Sequence, residues 1–159
     1  MAVSVRRARL DDRGFIEKLG ETSSIETVSP IRTALPHATG AAFRKLLAYC
    51  AERSGNVTFI GEDNGVRAGL LIVVFDVPDD VTQQQQAFIA YMAVEREHRR
   101  RGVARALLAA AEEEARQRGM SHISLMVTEA SAPARAVYAQ AGFVDERVQM
   151  TKAIARAAR

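Results

Sequence analysis

Seven consecutive residues, Arg99-Arg100-Arg101-Gly102-Val103-Ala104-Arg105, set four arginines around one glycine where a helix should begin. Apolar residues at Val103, Ala104, Leu107, Leu108, Ala111 and Ala115 recur at helical spacing, and Gly119 supplies a stop. The first turn of a helix carries partial positive charge and unpaired N–H groups, so each cation there costs roughly a few tenths of a kcal/mol. Four cations at that end point to an anion that meets them. Gly102 lets the backbone come close to such a ligand, because no side chain stands in the way. The spacing is neither that of a nucleotide P-loop nor that of a three-glycine dinucleotide fingerprint. What remains is Arg-x-x-Gly-x-Ala, formed by Arg99, Gly102 and Ala104. Ala104 is small enough for a pyrophosphate to lie across the first turn.

The elements that must position this turn follow from periodicity. Val3 and Val5 alternate with polar neighbours and predict a first strand. A helix capped by Asp11 or Asp12 then carries Phe15, Ile16 and Leu19 inward. Residues 21–40 are irregular, with Pro30 and Pro36 blocking long helices. A second helix is expected over 41–53, on Phe43, Leu46, Leu47 and Cys50. Strands at 57–61 and 66–76 flank Glu62-Asp63-Asn64-Gly65, a hairpin signal because Asn-Gly suits positive φ. Residues 78–86, with four consecutive glutamines, read as a mobile connection. The strand at 87–94 is apolar throughout and therefore central. After the arginine-initiated helix, Ile123, Leu125 and Val127 alternate inward over 122–128. A short helix over 132–141 ends at Gly142, Phe143 opens a last pair of strands to about residue 153, and a basic tail at 154–159 frays.

This order predicts one mixed α/β (α+β) domain over residues 1–159. The chain has 159 residues, 48% hydrophobic and 26% charged, which suits a globular domain with a buried core. A net charge of +3 permits an anionic ligand without implying nucleic acid. One cysteine, Cys50, allows no intrachain disulfide and belongs to a helix face turned to the core. No apolar run reaches membrane-spanning length and no signal peptide opens the chain, so a cytoplasmic location is expected. His98 and His122 have no partner at metal-ligand spacing, and no metal is expected.

The residues from 87 to about 152 resemble the Gcn5-related N-acetyltransferases. Tyr91-Met92-Ala93-Val94, then Arg99 to Ala104, then an amphipathic helix match that family's cofactor motif. Ser131-x-x-Ala134-x-x-x-Tyr138-x-x-x-Gly142-Phe143 matches a second segment at the right distance. Asparagine is usual in the family where Ser131 stands. The resemblance implies a twisted, mostly antiparallel sheet of about six or seven strands with about four helices. Its fourth and fifth strands splay to form a cofactor cleft. It implies acetyl-CoA as co-substrate and a primary amine as acceptor, with a homodimer allowed by analogy.

The same resemblance assigns roles. The backbone of Met92, Ala93 and Val94 would pair with the pantetheine arm, and one N–H would polarise the thioester carbonyl. N–H groups from Arg100, Arg101, Gly102, Val103, Ala104 and Arg105 would hold the pyrophosphate, with the arginine side chains, Arg99 included, adding charge-assisted contacts. Ser131 would contact the cofactor, and Tyr138 would protonate the leaving thiolate. The carboxylates used as general bases in two family branches are absent, since Met126 and Phe88 occupy those positions. Glu129, Asp76, Glu97 and His37 remain open as bases.

Blander readings stand beside these. A solvated basic face is the default for any single arginine, and four around one glycine argue against it. Tyr138 could simply pack on Phe143. Glu112, Glu113 and Glu114 read as a solvated face paired with Arg116 or Arg118. The leading function is N-acetyl transfer; a catalytically idle acetyl-CoA-binding regulatory module is the alternative. Nucleic-acid binding ranks last, because no aromatic platform interleaves with the arginines.

Overall fold

Alternation within one strand sets the layers. In β3 (Val66–Val74), Leu70, Ile72 and Val74 face one side and Leu71 and Val73 the other, and all five are buried. A strand covered on both faces needs helices on both sides. The computed structural model describes residues 2–156 and supplies them. β1 (Val3–Arg7) is followed by α1 (Arg13–Ser23) and α2 (Pro36–Ala51), then β2 (Val57–Asp63), β3 and β4 (Ala87–Val94). α3 (Val103–Gln117), β5 (Ile123–Leu125) and α4 (Ala132–Gln140) complete the order. One face of the sheet packs Ile60, Leu70, Ile72 and Val74 against Ile16, Leu19, Phe43 and Cys50 of α1 and α2. The other packs Phe59, Leu71, Val73 and Ile89 against Val103, Leu107, Leu108 and Ala111 of α3. Burying each such aliphatic side chain stabilises the fold by about 1.5–3 kcal/mol.

The sheet runs β1-β2-β3-β4-β5, antiparallel throughout except for the parallel β4–β5 pair. Asn64 and Gly65, at φ 52° and 78°, turn the β2–β3 hairpin as their types predict.

Several expectations are corrected. The described residues form five strands rather than six or seven, because the final pair expected from Phe143 does not form; residues 143–156 hold no regular element. Tail residues 154–156 are likewise without helix or strand, and 157–159 lie outside the described residues. Pro36 does not block α2 but starts it, since proline tolerates the first helical turn, where no N–H bond is required. β5 is three residues rather than seven. The 78–86 connection is held by Asp79, whose carboxylate accepts the N–H groups of Val81 (3.2 Å) and Thr82 (2.7 Å) and pairs with Arg147 at 2.6 Å. Glu114 is buried rather than solvated, and bonds Arg7 and Arg118 across α3 and β1.

Asp12 stands at the start of α1 yet does not cap it. Its fully buried carboxylate takes Arg6 at 2.7 and 3.0 Å, Arg67 at 2.7 Å and the Arg9 N–H at 2.7 Å. Hydrogen bonds from Arg6 hold this carboxyl far below the usual range, against the opposing effect of burial. Asp12→Ala is expected to cost about 2 kcal/mol in urea denaturation; partial exposure of both guanidinium groups keeps this below the figure for a fully buried pair. A carboxyl whose pKa falls on folding stabilises fully above its unfolded value and loses that contribution as pH falls through the folded one. Glu26, Asp63, Asp79 and Glu114 shift in the same direction. Thermal stability should therefore stay level from neutral pH to about 5 and decline below about 4.

Candidate active site

β4 and β5 pair only at Ala87–Ile123, Phe88–Ser124 and Ile89–Leu125. Beyond Ile89 the two strands part. The cause is visible on the other edge of β4, where Tyr91 faces Ile72 but Ile89 faces Val73, leaving Ala90 as an extra residue. Such a bulge bends and twists its strand. Tyr91, Met92, Ala93 and Val94 thus run on with no β5 residue opposite them, an edge open to an added extended chain. These are the splayed fourth and fifth strands that the resemblance implies.

Past Val94 the chain makes a 3-10 turn at Arg96–His98 and then the arginine-rich turn. Arg100 at φ 61° and Gly102 at φ 89° are both left-handed, separated by one residue. Alternating handedness of this kind turns successive N–H groups to one side and makes a concavity for an anion. α3 begins at Val103, so the N–H groups of Val103, Ala104 and Arg105 have no partner inside the helix. A Cβ built on Gly102 would find nothing within 4 Å, so the space above the turn is open.

Two glycines of the sheet seat this helix start. A Cβ on Gly61 would lie 2.7 Å from Val103 Cγ1, and one on Gly69 would lie 2.9 Å from the Ala93 carbonyl oxygen. Without side chains there, the first turn of α3 presses directly onto β2 and β3.

The arginine cluster divides in two. Arg99 donates from Nε to the Val94 carbonyl (3.0 Å) and from Nη2 to Glu26 (2.9 Å), and Glu26 also takes Arg96 at 2.8 Å. Arg101 donates to Asp63 at 3.1 Å, beside His98 Nδ1 at 2.9 Å from the same oxygen. The Asp63 side chain is 1% exposed. Its carboxyl is held below the usual range, first by the His98 hydrogen bond and then by Arg101. An ionised carboxylate only accepts, so His98 Nδ1 carries the proton. Arg99 and Arg101 therefore build the loop, each answering a carboxylate from elsewhere in the chain. Arg100 and Arg105 are exposed, and no hydrogen bond or ion pair engages them among the described residues.

Asp63 and Glu26 are not legible as site residues in the sequence; only the hairpin signal draws attention to Asp63. Asp63→Asn is expected to weaken acetyl-CoA binding about tenfold in calorimetry, because Arg101 and His98 lose a charged anchor roughly twice as strong as a neutral one.

Tyr138 is half-buried on α4 against the α3 side of the core, edge-on to Phe143 at 5.9 Å between ring centres. Burial pushes its pKa above the ordinary tyrosine value of about 10, with Tyr91 adding to the effect. The phenol keeps its proton at neutral pH. Ser131 stands at the start of α4, but its hydroxyl does not cap the helix. The sequence pattern gives the Tyr91 hydroxyl no role of its own; it lies 2.7 Å from Ser23 Oγ and 3.3 Å from the Gly20 carbonyl oxygen, tying β4 to α1. A hydroxyl in an otherwise apolar strand is the available signal.

The segment before α2 spans both lips of the opening. Glu26 holds the β4–α3 turn, while the neighbouring Thr27 carbonyl accepts the Thr128 hydroxyl from the loop after β5.

The base candidates are not brought together. Asp76 pairs with Arg53 at 3.0 Å and follows β3, whose end pairs with the start of β4, away from the turn. Glu129 is exposed beside Arg135, Glu97 is exposed after β4, and His37 lines a groove of about 430 Å³ with Glu21 and Arg44 between α1 and α2.

The acetyltransferase (GNAT) family model matches residues 26–143, which contain the whole cleft. This chain belongs to the Gcn5-related N-acetyltransferase family. Solved structures agree in fold. A Pyrococcus furiosus protein assigned as an acetyl transferase superposes with TM-score 0.79 at 23% identity, covering 96% of this chain and 100% of its own. A GCN5-related N-acetyltransferase from Ralstonia eutropha gives 0.70 at 25% identity, covering 96% and 99%. A Clostridium acetobutylicum protein assigned as an acetyltransferase and solved with acetyl-CoA gives 0.64 at 22%, covering 96% of each. No curated protein matches. N-acetyltransferases of this family use acetyl-CoA, and it is the co-substrate here. Among the described residues no cluster of three or more His, Cys, Asp or Glu could hold a metal ion, and no helix is long and apolar enough to cross a membrane.

Proposed function

We propose that this protein transfers an acetyl group from acetyl-CoA to a primary amine of a small molecule or a peptide N-terminus, by direct attack with both substrates bound. The observation that carries the proposal is the parting of β4 from β5 directly beside the left-handed turn at Arg100 and Gly102. One edge offers backbone to an extended arm and the adjacent turn offers N–H groups to a diphosphate. The open space over Gly102 fits that group.

Acetyl-CoA supplies a thioester whose acetyl carbon accepts an amine. Met92, Ala93 and Val94 align the arm through main-chain hydrogen bonds, and one of their N–H groups polarises the carbonyl, worth about 3 kcal/mol in the transition state. The N–H groups from Arg100 to Arg105 grip the diphosphate, helped by the Arg100 and Arg105 side chains. Arg99 and Arg101 act by holding the turn in shape. Ser131 offers its uncapped hydroxyl to the same ligand. Tyr138 gives its phenolic proton to the departing sulfur as the C–S bond breaks and the C–N bond forms. The amine's own proton leaves to solvent or to a base reached through water. An α-amine with pKa near 8 needs less help in this than a lysine near 10.4, which favours the former as acceptor.

Thiol release from acetyl-CoA, followed with a panel of purified amines, tests the reading. Turnover on one amine class is expected, with saturable acetyl-CoA binding by calorimetry. Binding without turnover on any amine would instead favour a regulatory acetyl-CoA-binding module.

A further inference from the structure

A carboxylate is out of place beside a turn that gathers an anion, yet Glu26 sits there. It stands in the 3-10 turn Ser24–Thr27 between α1 and α2, and its two oxygens accept from different arginines, Oε1 from Arg96 at 2.8 Å and Oε2 from Arg99 at 2.9 Å. The same Arg99 donates from Nε to the Val94 carbonyl at 3.0 Å. That carbonyl lies on the open edge of β4. The Glu95 N–H donates to the Ala68 carbonyl at 2.8 Å, on the β3 side, and main-chain groups alternate along a strand, so those of Val94 face away from β3. Through Arg99, Glu26 thus fixes the point where the open edge ends and the anion turn begins.

One residue further, the Thr27 carbonyl accepts the Thr128 hydroxyl. Thr128 follows β5, on the far side of the gap that opens after Ile89. Neighbouring residues of one short turn therefore hold both lips. The hydroxyl of Ser23, 2.7 Å from that of Tyr91, ties the start of the same turn to β4.

We propose that Glu26 is a positioning residue that sets the separation of the two lips, and with it the affinity for acetyl-CoA, by holding Arg99 on the Val94 carbonyl while Thr27 holds Thr128. The proposal rests on acetyl-CoA occupying this cleft. Charge and position then make opposite predictions. As a bare charge near a diphosphate, Glu26 repels the ligand, and its removal strengthens binding. As the anchor of Arg99, its removal frees the end of the edge and weakens binding.

Calorimetry with acetyl-CoA on the full chain tests this. Glu26→Gln is expected to weaken binding about tenfold, because a charge-assisted anchor gives way to a neutral one roughly half as strong. Arg99→Lys is expected to match it, since lysine keeps the charge but cannot engage Val94 and Glu26 with one rigid fork. Thr128→Val removes only the far contact and is expected to weaken binding about fivefold. Combined with Glu26→Gln it should reach about tenfold rather than about fiftyfold, because both cut one bridge. The Tm should move by no more than about 2 °C, since side chains 35 and 41% exposed form pairs that add little to stability. Tighter or unchanged binding by Glu26→Gln overturns the proposal. So does wild-type affinity in Arg99→Lys or Thr128→Val, additive losses in the double variant, or a fall in Tm beyond about 4 °C. Gly102→Val separates the two ways of failing. Where it weakens binding and Glu26→Gln does not, only the role of Glu26 is lost; where neither weakens it, the cofactor lies outside this cleft.

Discussion

Tyr138→Phe is expected to lower kcat by about 10²–10³-fold while leaving the dissociation constant for acetyl-CoA within about twofold. The ring's contacts survive, since the phenylalanine keeps the edge-on packing with Phe143 and the burial against the α3-side core. Only the hydroxyl is lost, and among the described residues no hydrogen bond to another protein group goes with it. A purely structural tyrosine would therefore leave turnover nearly unchanged. The pH profile adds an independent readout. Burial raises the phenol pKa above about 10, so the proton required for transfer is present throughout the neutral range. Loss of kcat on the alkaline side should begin only above about pH 10 and should disappear in the variant. Full turnover by Tyr138→Phe on the best amine would remove this residue from the mechanism.

Gly102→Val is expected to weaken acetyl-CoA binding about 100-fold, equivalent to about 2.7 kcal/mol. The glycine sits at φ 89°, and nothing lies within 4 Å of a Cβ placed on it. No clash with the protein therefore opposes the substitution. What opposes it is the left-handed backbone, which a side-chain-bearing residue adopts at about 1–2 kcal/mol. Relaxing that strain turns the N–H groups of Gly102 and Val103 away from their common focus. If the turn holds, the new methyl groups occupy the ligand's space instead. Either route removes the diphosphate grip, whereas the unliganded protein should lose only roughly 3–6 °C of Tm. Calorimetry on the folded variant decides. Unchanged affinity would place the cofactor elsewhere.

Elements whose partners are local can be read from residue order. The periodic apolar face of α3, the Asn64-Gly65 hairpin and the apolar β4 all appear where their residue patterns put them. Gly102, Gly119 and Gly142 each take positive φ at the boundaries that their positions mark. The left-handed turn at Gly102 is legible for the same reason, since a positive φ there calls for a residue without a side chain.

Long-range electrostatics are not legible. Four arginines at a helix start point to one anion, yet two of them answer Glu26 and Asp63, 73 and 38 residues away in the chain. A buried Asp12 resembles a cap because short-range spacing fits a cap; its arginines come from β1 and β3. The last strands fail for a related reason. Alternation at residues 147–151 states that a segment can be a strand, but a strand exists only where another edge receives it. Chain order and residue type thus settled the glycine turn before α3, that helix and the hairpin, because those depend on neighbours within a few residues. Which arginines remain for a ligand, where β4 leaves β5, and what the C-terminal segment lacks were decided by contacts between distant parts, which no local pattern encodes.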